Sequence, residues 1–260
     1  MHNTALQDRR VTLHGLPLDP LTEQDATDEL FSRMGDGEGG VVLTPNLDHL
    51  QRFAREPEVR DAYADADLVL ADGMPLVWAS RLQGTPLPER VPGSDLIWSV
   101  SERAANEHAS VFLLGGSPGA AVDAGRRLAT QFPGLRIAGC HFPDYGFLGR
   151  EAEVRRMVRD VTEAQPSVVF VGLPSPIAER TIELLRPDLP TTWFLGIGVT
   201  LSFVAGDVRR APRWTHKLGL EWVWRLLHEP RRLARRYLLA DLPFSFRLAA
   251  SAIHHRYTAD

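Results

Sequence analysis

Cysteine is all but missing from this 260-residue chain. The single one, Cys140, excludes an internal disulfide and any multi-cysteine metal site, and it fits a reducing compartment. No run of roughly 18 apolar residues occurs, so no helix is expected to span a bilayer. Residues 1–10 are polar, and no signal peptide is expected there. A Walker lysine is absent, which argues against a P-loop. Also absent are a His-Glu-x-x-His pair, internal repeats, low-complexity tracts and a long linker. Lysine itself is reduced to Lys217, beside 28 arginines. Arginine is the better bidentate ligand for phosphate.

What remains is an ordinary globular composition, 44% hydrophobic and 24% charged, long enough to bury a sizeable core. The net charge of −4 is unevenly spread. Residues 209–257 hold ten arginines and one lysine against three acids, so the rest of the chain is strongly acidic. That asymmetry points the C-terminal end toward something anionic.

Apolar runs of strand length recur at 40–46, 68–73, 110–116, 135–140, 167–173 and 191–198. They are continuous rather than alternating, as strands covered on both faces are. Helical patterns are predicted over 22–34, 47–63 (two short helices broken at Pro57), 74–82, 94–106, 118–131, 151–164 and 178–186. Alternating strand and helix predicts an α/β class fold, a doubly wound, mainly parallel Rossmann-like sheet. Residues 11–19 add an N-terminal strand or hairpin. After Gly206 no further strand is read. Helices are predicted over 219–227 and 229–240, split at Pro230, and a third over 243–255. The chain therefore divides into an α/β body, 1–206, and a basic helical appendage, 207–260.

In such a sheet, ligands bind beyond the carboxyl ends of the strands. The runs here end in Thr44-Pro45-Asn46, Asp72-Gly73, Gly115-Gly116-Ser117, Gly172, and Gly196 with Gly198. Glycines let a ligand approach the backbone, and helix N-termini favour phosphate, so a nucleotide or sugar nucleotide is the natural ligand class. Thr44, Asn46 and Asp72 each also fit a helix cap. Neither glycine loop completes a dinucleotide fingerprint, because the third glycine and the downstream ribose acid are missing. Asp65-Ala66-Asp67 has the D-x-D form of a metal site but precedes its strand, and it reads as a solvated helix-to-strand turn. Cys140 reads as a buried small side chain.

The appendage mixes arginines, Arg225, Arg232, Arg235 and Arg236 among them, with Trp222, Trp224 and Tyr237. Such a mixture suits an anionic lipid headgroup layer. Nucleic acid is disfavoured, since the body is acidic and no nucleic-acid motif occurs.

Several motifs in order then resemble one family. They are "TPNLDHL", "LVLADGMPLVW", "ERVPGSDL", "VFLLGGSPG", "GIGVTLSFVAGDVRRAPRW" and "GLEWVWRLLHEPRRLARRY". Over nearly its whole length the chain is similar to the WecG/TagA/CpsF glycosyltransferases, glycosyltransferase family 26. The resemblance implies inverting glycosyl transfer with no metal or other cofactor. The donor is a UDP-sugar, such as UDP-N-acetylmannosamine or its uronic acid. The acceptor is N-acetylglucosamine on undecaprenyl diphosphate, and the product feeds wall teichoic acid, enterobacterial common antigen or capsule. The implied location is cytoplasmic, peripheral on the inner face of the membrane, with the appendage against anionic lipid; a homo-oligomer stays open.

Carried over by motif, Asp72 matches the general base, and Thr44 with Asn46 the polar pair of the sugar site. Tyr145 matches an aromatic set against uracil. Gly73, Arg90, Gly115, Gly116, Gly172, Glu179, Gly196, Gly198 and Ser202 complete the implied substrate site. Arg225, Arg232 and Arg235 match arginines that hold diphosphate. Two residues depart from the pattern: Ala178 stands where glutamine is common, and Ser202 where aspartate is usual. Both bear on the donor sugar. Two other classes compete. The glycine loops motivate an NAD(P)-binding oxidoreductase, and the tail alone motivates a non-catalytic peripheral membrane module.

Overall fold

A computed structural model of the chain describes residues 9–207 and 242–258. It opens with a hairpin, β1 (Val11–Leu13) and β2 (Leu16–Leu18). The continuous apolar runs form a six-stranded, wholly parallel sheet of β3 (Gly40–Leu43), β4 (Leu68–Val69), β5 (Ser110–Gly115), β6 (Arg136–His141), β7 (Val168–Gly172) and β8 (Trp193–Gly196). The spatial order is β4-β3-β8-β7-β5-β6.

The helices between them are α1 (Glu23–Gly35), α2 (Leu47–Arg55), α3 (Pro57–Ala64), α4 (Met74–Gln83), α5 (Gly93–Asn106), α6 (Ala120–Gln131), α7 (Glu151–Ala164), α8 (Ile177–Leu185) and α9 (Thr200–Ala205). A final helix, α10, spans Leu242–Thr258. The expected break at Pro57 is real, because Pro57 opens α3 at a position where a missing N–H costs nothing. The run at 68–73 pairs as a strand only over Leu68–Val69. Beyond it, single bonds from Leu70 N–H to the Leu43 carbonyl (2.9 Å) and from Asp72 N–H to the Pro45 carbonyl (2.8 Å) carry the chain along β3.

Side chains alternate between two cores, as period-2 geometry requires. Val41, Leu43, Val69, Leu114, Val171 and Phe194 face the first core, with α2, α3, α4, α7, α8 and α10. Val42, Leu68, Val111, Leu113, Phe170 and Leu195 face the second, with α1, α5, α6 and α9. Both faces are thus covered, which is why the runs read as continuously apolar. Asp19 ties the hairpin to β4. Its carboxylate accepts from Val69 N–H (2.7 Å) and from Arg10 Nε (2.8 Å). Burial pushes that carboxyl up, while Arg10 pulls it back.

Within the 207–260 segment, α10 packs on α4 and buries Phe244, Leu248 and Ala252 at four-residue spacing in the first core. The helices predicted over 219–227 and 229–240 lie outside the described residues. Among the described residues, no helix is long and apolar enough to cross a membrane.

One turn is not as expected. Asp65 is exposed, but Asp67 is not a solvated turn residue. Its carboxylate accepts from the buried Arg33 (2.7 Å) and from Val41 N–H (3.0 Å) at the start of β3. A buried guanidinium needs a partner, and Asp67 supplies it.

Candidate active site at the strand ends

The loop after β3 leads to α2 on one face of the sheet, and the loop after the adjacent β8 leads to α9 on the other. Neighbouring strands whose connections diverge leave a crevice at their carboxyl ends. Thr44 stands at its floor. It is 8% exposed, and its hydroxyl donates to the Gly196 carbonyl (3.2 Å), bridging β3 to β8. Asn46 follows. Its side-chain oxygen accepts from Asp48 N–H (3.0 Å) and His49 N–H (3.3 Å), which caps α2. The capping alternative is therefore true of Asn46.

It is not true of Asp72. The residue that opens α4 is Gly73, and no side chain caps that helix. The expectation that Asp72 caps it is corrected. Gly73 rather than Asp72 holds the N-cap position, and the Asp72 N–H is bonded to the Pro45 carbonyl instead. Asp72 is half-buried. A Cβ on Gly73 would lie 4.0 Å from Asn46 Cβ, so the Asp72-Gly73 and Thr44-Pro45-Asn46 turns touch.

The third side of the crevice is the loop before α5. Val91 N–H bonds to the Ala71 carbonyl (2.9 Å), setting Arg90 beside the Asp72 turn. The Arg90 guanidinium lies 3.7 Å from Asp95 and is largely buried. Gly93 meets Ile197 so closely that a Cβ would come within 2.9 Å of its backbone, which seats the Gly196–Gly198 turn against α5.

A second group lies along the same rim. Gly116 N–H donates to the Gly172 carbonyl (2.8 Å), joining the loops after β5 and β7. A Cβ on Gly115 would sit 2.6 Å from that carbonyl, and one on Gly172 would sit 2.6 Å from Leu201 of α9. These two glycines are thus needed for packing as well as for any ligand. Ser202, buried on α9, accepts from Ser117 N–H (3.2 Å) and shares a hydroxyl contact with it (3.1 Å). Ser117 in turn donates to Asp207 (2.6 Å).

The remaining assignments fall differently. Glu179 sits in the first turn of α8, 7% exposed, and its Oε2 has no hydrogen-bond partner among the described residues. Burial pushes its carboxyl above the ordinary value; the Ser175 hydroxyl and Arg52 oppose the shift. Buried Tyr63 is its neighbour. Burial first, then the Glu179 and Asp72 charges, hold that phenol well above its usual range, with Arg52 opposing. Glu179 also lines a cavity of ≈ 270 Å³ between α3 and α8. Tyr145 is 99% exposed on the loop after β6 and is not brought to the crevice. Ala178 is buried. Arg225, Arg232 and Arg235 lie outside the described residues. Cys140 is half-buried, its thiol pushed up by burial, and it points at the Ala121 carbonyl (3.5 Å).

Arg52 is a residue that sequence reading passed over. In "HLQRFARE" it shows only as an i,i+4 partner of Glu56, the signature of a surface ion pair. In space it also reaches Ser175, 123 positions away. Nothing in the sequence signals that contact.

The arrangement is one half-buried carboxylate, a hydroxyl and an amide at a switch-point crevice, flanked by glycine turns that expose backbone. It can accept a proton from a bound hydroxyl and admit a phosphate-bearing ligand close to N–H groups. Comparison with known proteins gives the family. Residues 11–258 match the glycosyl transferase WecG/TagA/CpsF family. A relative from Bacillus spizizenii strain W23, named N-acetylglucosaminyldiphosphoundecaprenol N-acetyl-beta-D-mannosaminyltransferase, is 30% identical over 197 residues, covering 76% of this chain and 74% of the relative. A match running from β1 to the last turn of α10 settles the assignment: the chain belongs to the WecG/TagA/CpsF family of glycosyl transferases.

Proposed function

We propose that the protein is an inverting glycosyltransferase that needs no metal. It moves an N-acetylmannosamine-type hexose from a UDP-sugar to a sugar carried on a polyprenyl diphosphate, in bacterial cell-surface polysaccharide synthesis. The family and the name of the Bacillus relative support the reaction class. The observation that carries the site is the Asp72 N–H bond to the Pro45 carbonyl (2.8 Å), which holds the carboxylate's turn against Thr44 and Asn46.

In this reading Asp72 accepts the proton of the acceptor hydroxyl as its oxygen attacks the anomeric carbon. The bond from that carbon to the UDP oxygen breaks in the same displacement, so configuration inverts and UDP leaves. Charge developing on the diphosphate is met by backbone N–H groups of the glycine turns and by Arg225, Arg232 and Arg235 of the appendage. Ser202 and Ala178 bear on the donor sugar. The Arg/Trp-rich appendage rests on the anionic inner face of the membrane, where a lipid-linked acceptor resides.

Calorimetric titration tests the nucleotide part. UDP and UDP-N-acetylmannosamine are expected to bind, and NAD is not. A protein that binds NAD but neither uridine ligand refutes the proposal.

A further inference from the structure

Two loops of the rim belong to crossovers separated by a strand. Asn46 and α2 follow β3; Gly172, Ser175 and Glu179 follow β7; β8 runs between. Their backbones share no ladder. Arg180 of α8 pairs with the exposed Glu58 of α3 at the periphery, and Arg52 reaches the loop after β7 itself. Arg52 Nη1 donates to the Ser175 carbonyl (2.7 Å) and to its hydroxyl (3.3 Å). The other edge of the same guanidinium is held bidentately by Glu56, through Nε (3.0 Å) and Nη2 (2.6 Å). A planar fork gripped on one edge has little freedom to turn, so its other edge is fixed in direction. The Ser175 hydroxyl so positioned is the partner of the buried Glu179 carboxyl, whose Oε2 has none among the described residues.

We propose that Arg52 is a positioning residue. It locks the loop after β7, and through Ser175 the Glu179 carboxyl, at a fixed distance from the Asn46 wall of the crevice. This rests on the site assigned under the proposed function. An ordinary exposed i,i+4 ion pair would do none of this and contributes at most a few tenths of a kcal/mol. The half of the site around Asp72 does not depend on Arg52. Thr44 is held by Gly196, and Asp72 by Pro45. Losing the clamp should therefore loosen the donor wall while leaving the proton acceptor in place.

The test compares wild type, Arg52→Ala and Arg52→Lys. Hydrogen exchange on the free proteins is expected to speed up at the amides of Leu173, Ser175, Ile177 and Ala178 in Arg52→Ala and to stay unchanged in β5. Arg52→Lys keeps a donor for Ser175 but loses the Glu56 fork, so it should fall between. In transfer assays Arg52→Ala is expected to raise the donor KM about tenfold, the scale of one charge-assisted hydrogen bond, with kcat within about threefold of wild type. Unchanged exchange at those four amides overturns the clamp. So does a variant whose kcat falls while its donor KM holds. If wild type itself transfers nothing, the proposed function fails, and the exchange measurement alone decides the clamp.

Discussion

Replacing Asp72 by asparagine removes the carboxylate that would accept the proton and keeps the backbone bonds of its turn. The side chain keeps its shape. The Asp72 N–H still reaches the Pro45 carbonyl, and α4 still opens on Gly73, which needs no side-chain cap. The residue is half-buried, so the cost to folding is expected to be about 1 kcal/mol, the centre of the range for single substitutions. For a chain of this length that is about 2–4 °C in melting temperature. Chemistry should suffer far more. Loss of a positioned general base lowers rate by about 10²–10⁴-fold, or roughly 2.7–5.5 kcal/mol of barrier. The assay is UDP release from a UDP-sugar in the presence of a lipid diphosphate acceptor, with a thermal melt on the same samples. A turnover within about threefold of wild type would place the base elsewhere. A melting point lowered by more than about 5 °C would make the loss structural and remove the inference.

The packing at the rim gives a second prediction. Alanine at Gly172 would set a Cβ 2.6 Å from the buried Leu201, an overpacking expected to cost about 1–3 kcal/mol in urea unfolding. Gly115→Ala should cost more, since its φ of 102° disfavours any side chain and the clash is with the Gly172 carbonyl rather than a flexible tip. Equal costs would mean the loops relax freely. Glu179 gives a pH dependence. Its folded pKa is raised above the ordinary 4.5, so its contribution to stability is fully present below 4.5 and is lost as pH rises through the folded pKa. Glu179→Gln should therefore gain stability relative to wild type as pH is raised from below 4.5 toward neutral. Parallel melting curves across that range would contradict the burial argument.

Much of this architecture was legible because burial on both faces leaves a plain mark. Runs such as "SVVFVGL" could hardly be anything but central parallel strands, and once the sheet was read the carboxyl-end rule located the rim. Periodicity also found the hairpin and α10. Polar residues were harder, because one residue type serves several ends. Asn46 proved a cap, Thr44 a bridge between strands, and Asp72 stands before an α4 that opens on Gly73 with no side-chain cap. Only the tertiary bonds separate the three. Asp67 looked solvated because its partner, Arg33, lies 34 positions away. Arg52 was hidden for the same reason. Glycines at 115 and 172 read as ligand contacts, while the structure assigns them a packing duty as well.

The most direct measurement of the central claim is a transfer reaction with purified full-length protein. It pairs UDP-N-acetylmannosamine with N-acetylglucosamine on a polyprenyl diphosphate, with and without a chelator. The account predicts one hexosamine added to the lipid per UDP released, with inverted anomeric configuration and no loss of rate in the chelator. UDP release without a glycosylated lipid, a retained anomer, or a rate abolished by the chelator would contradict it.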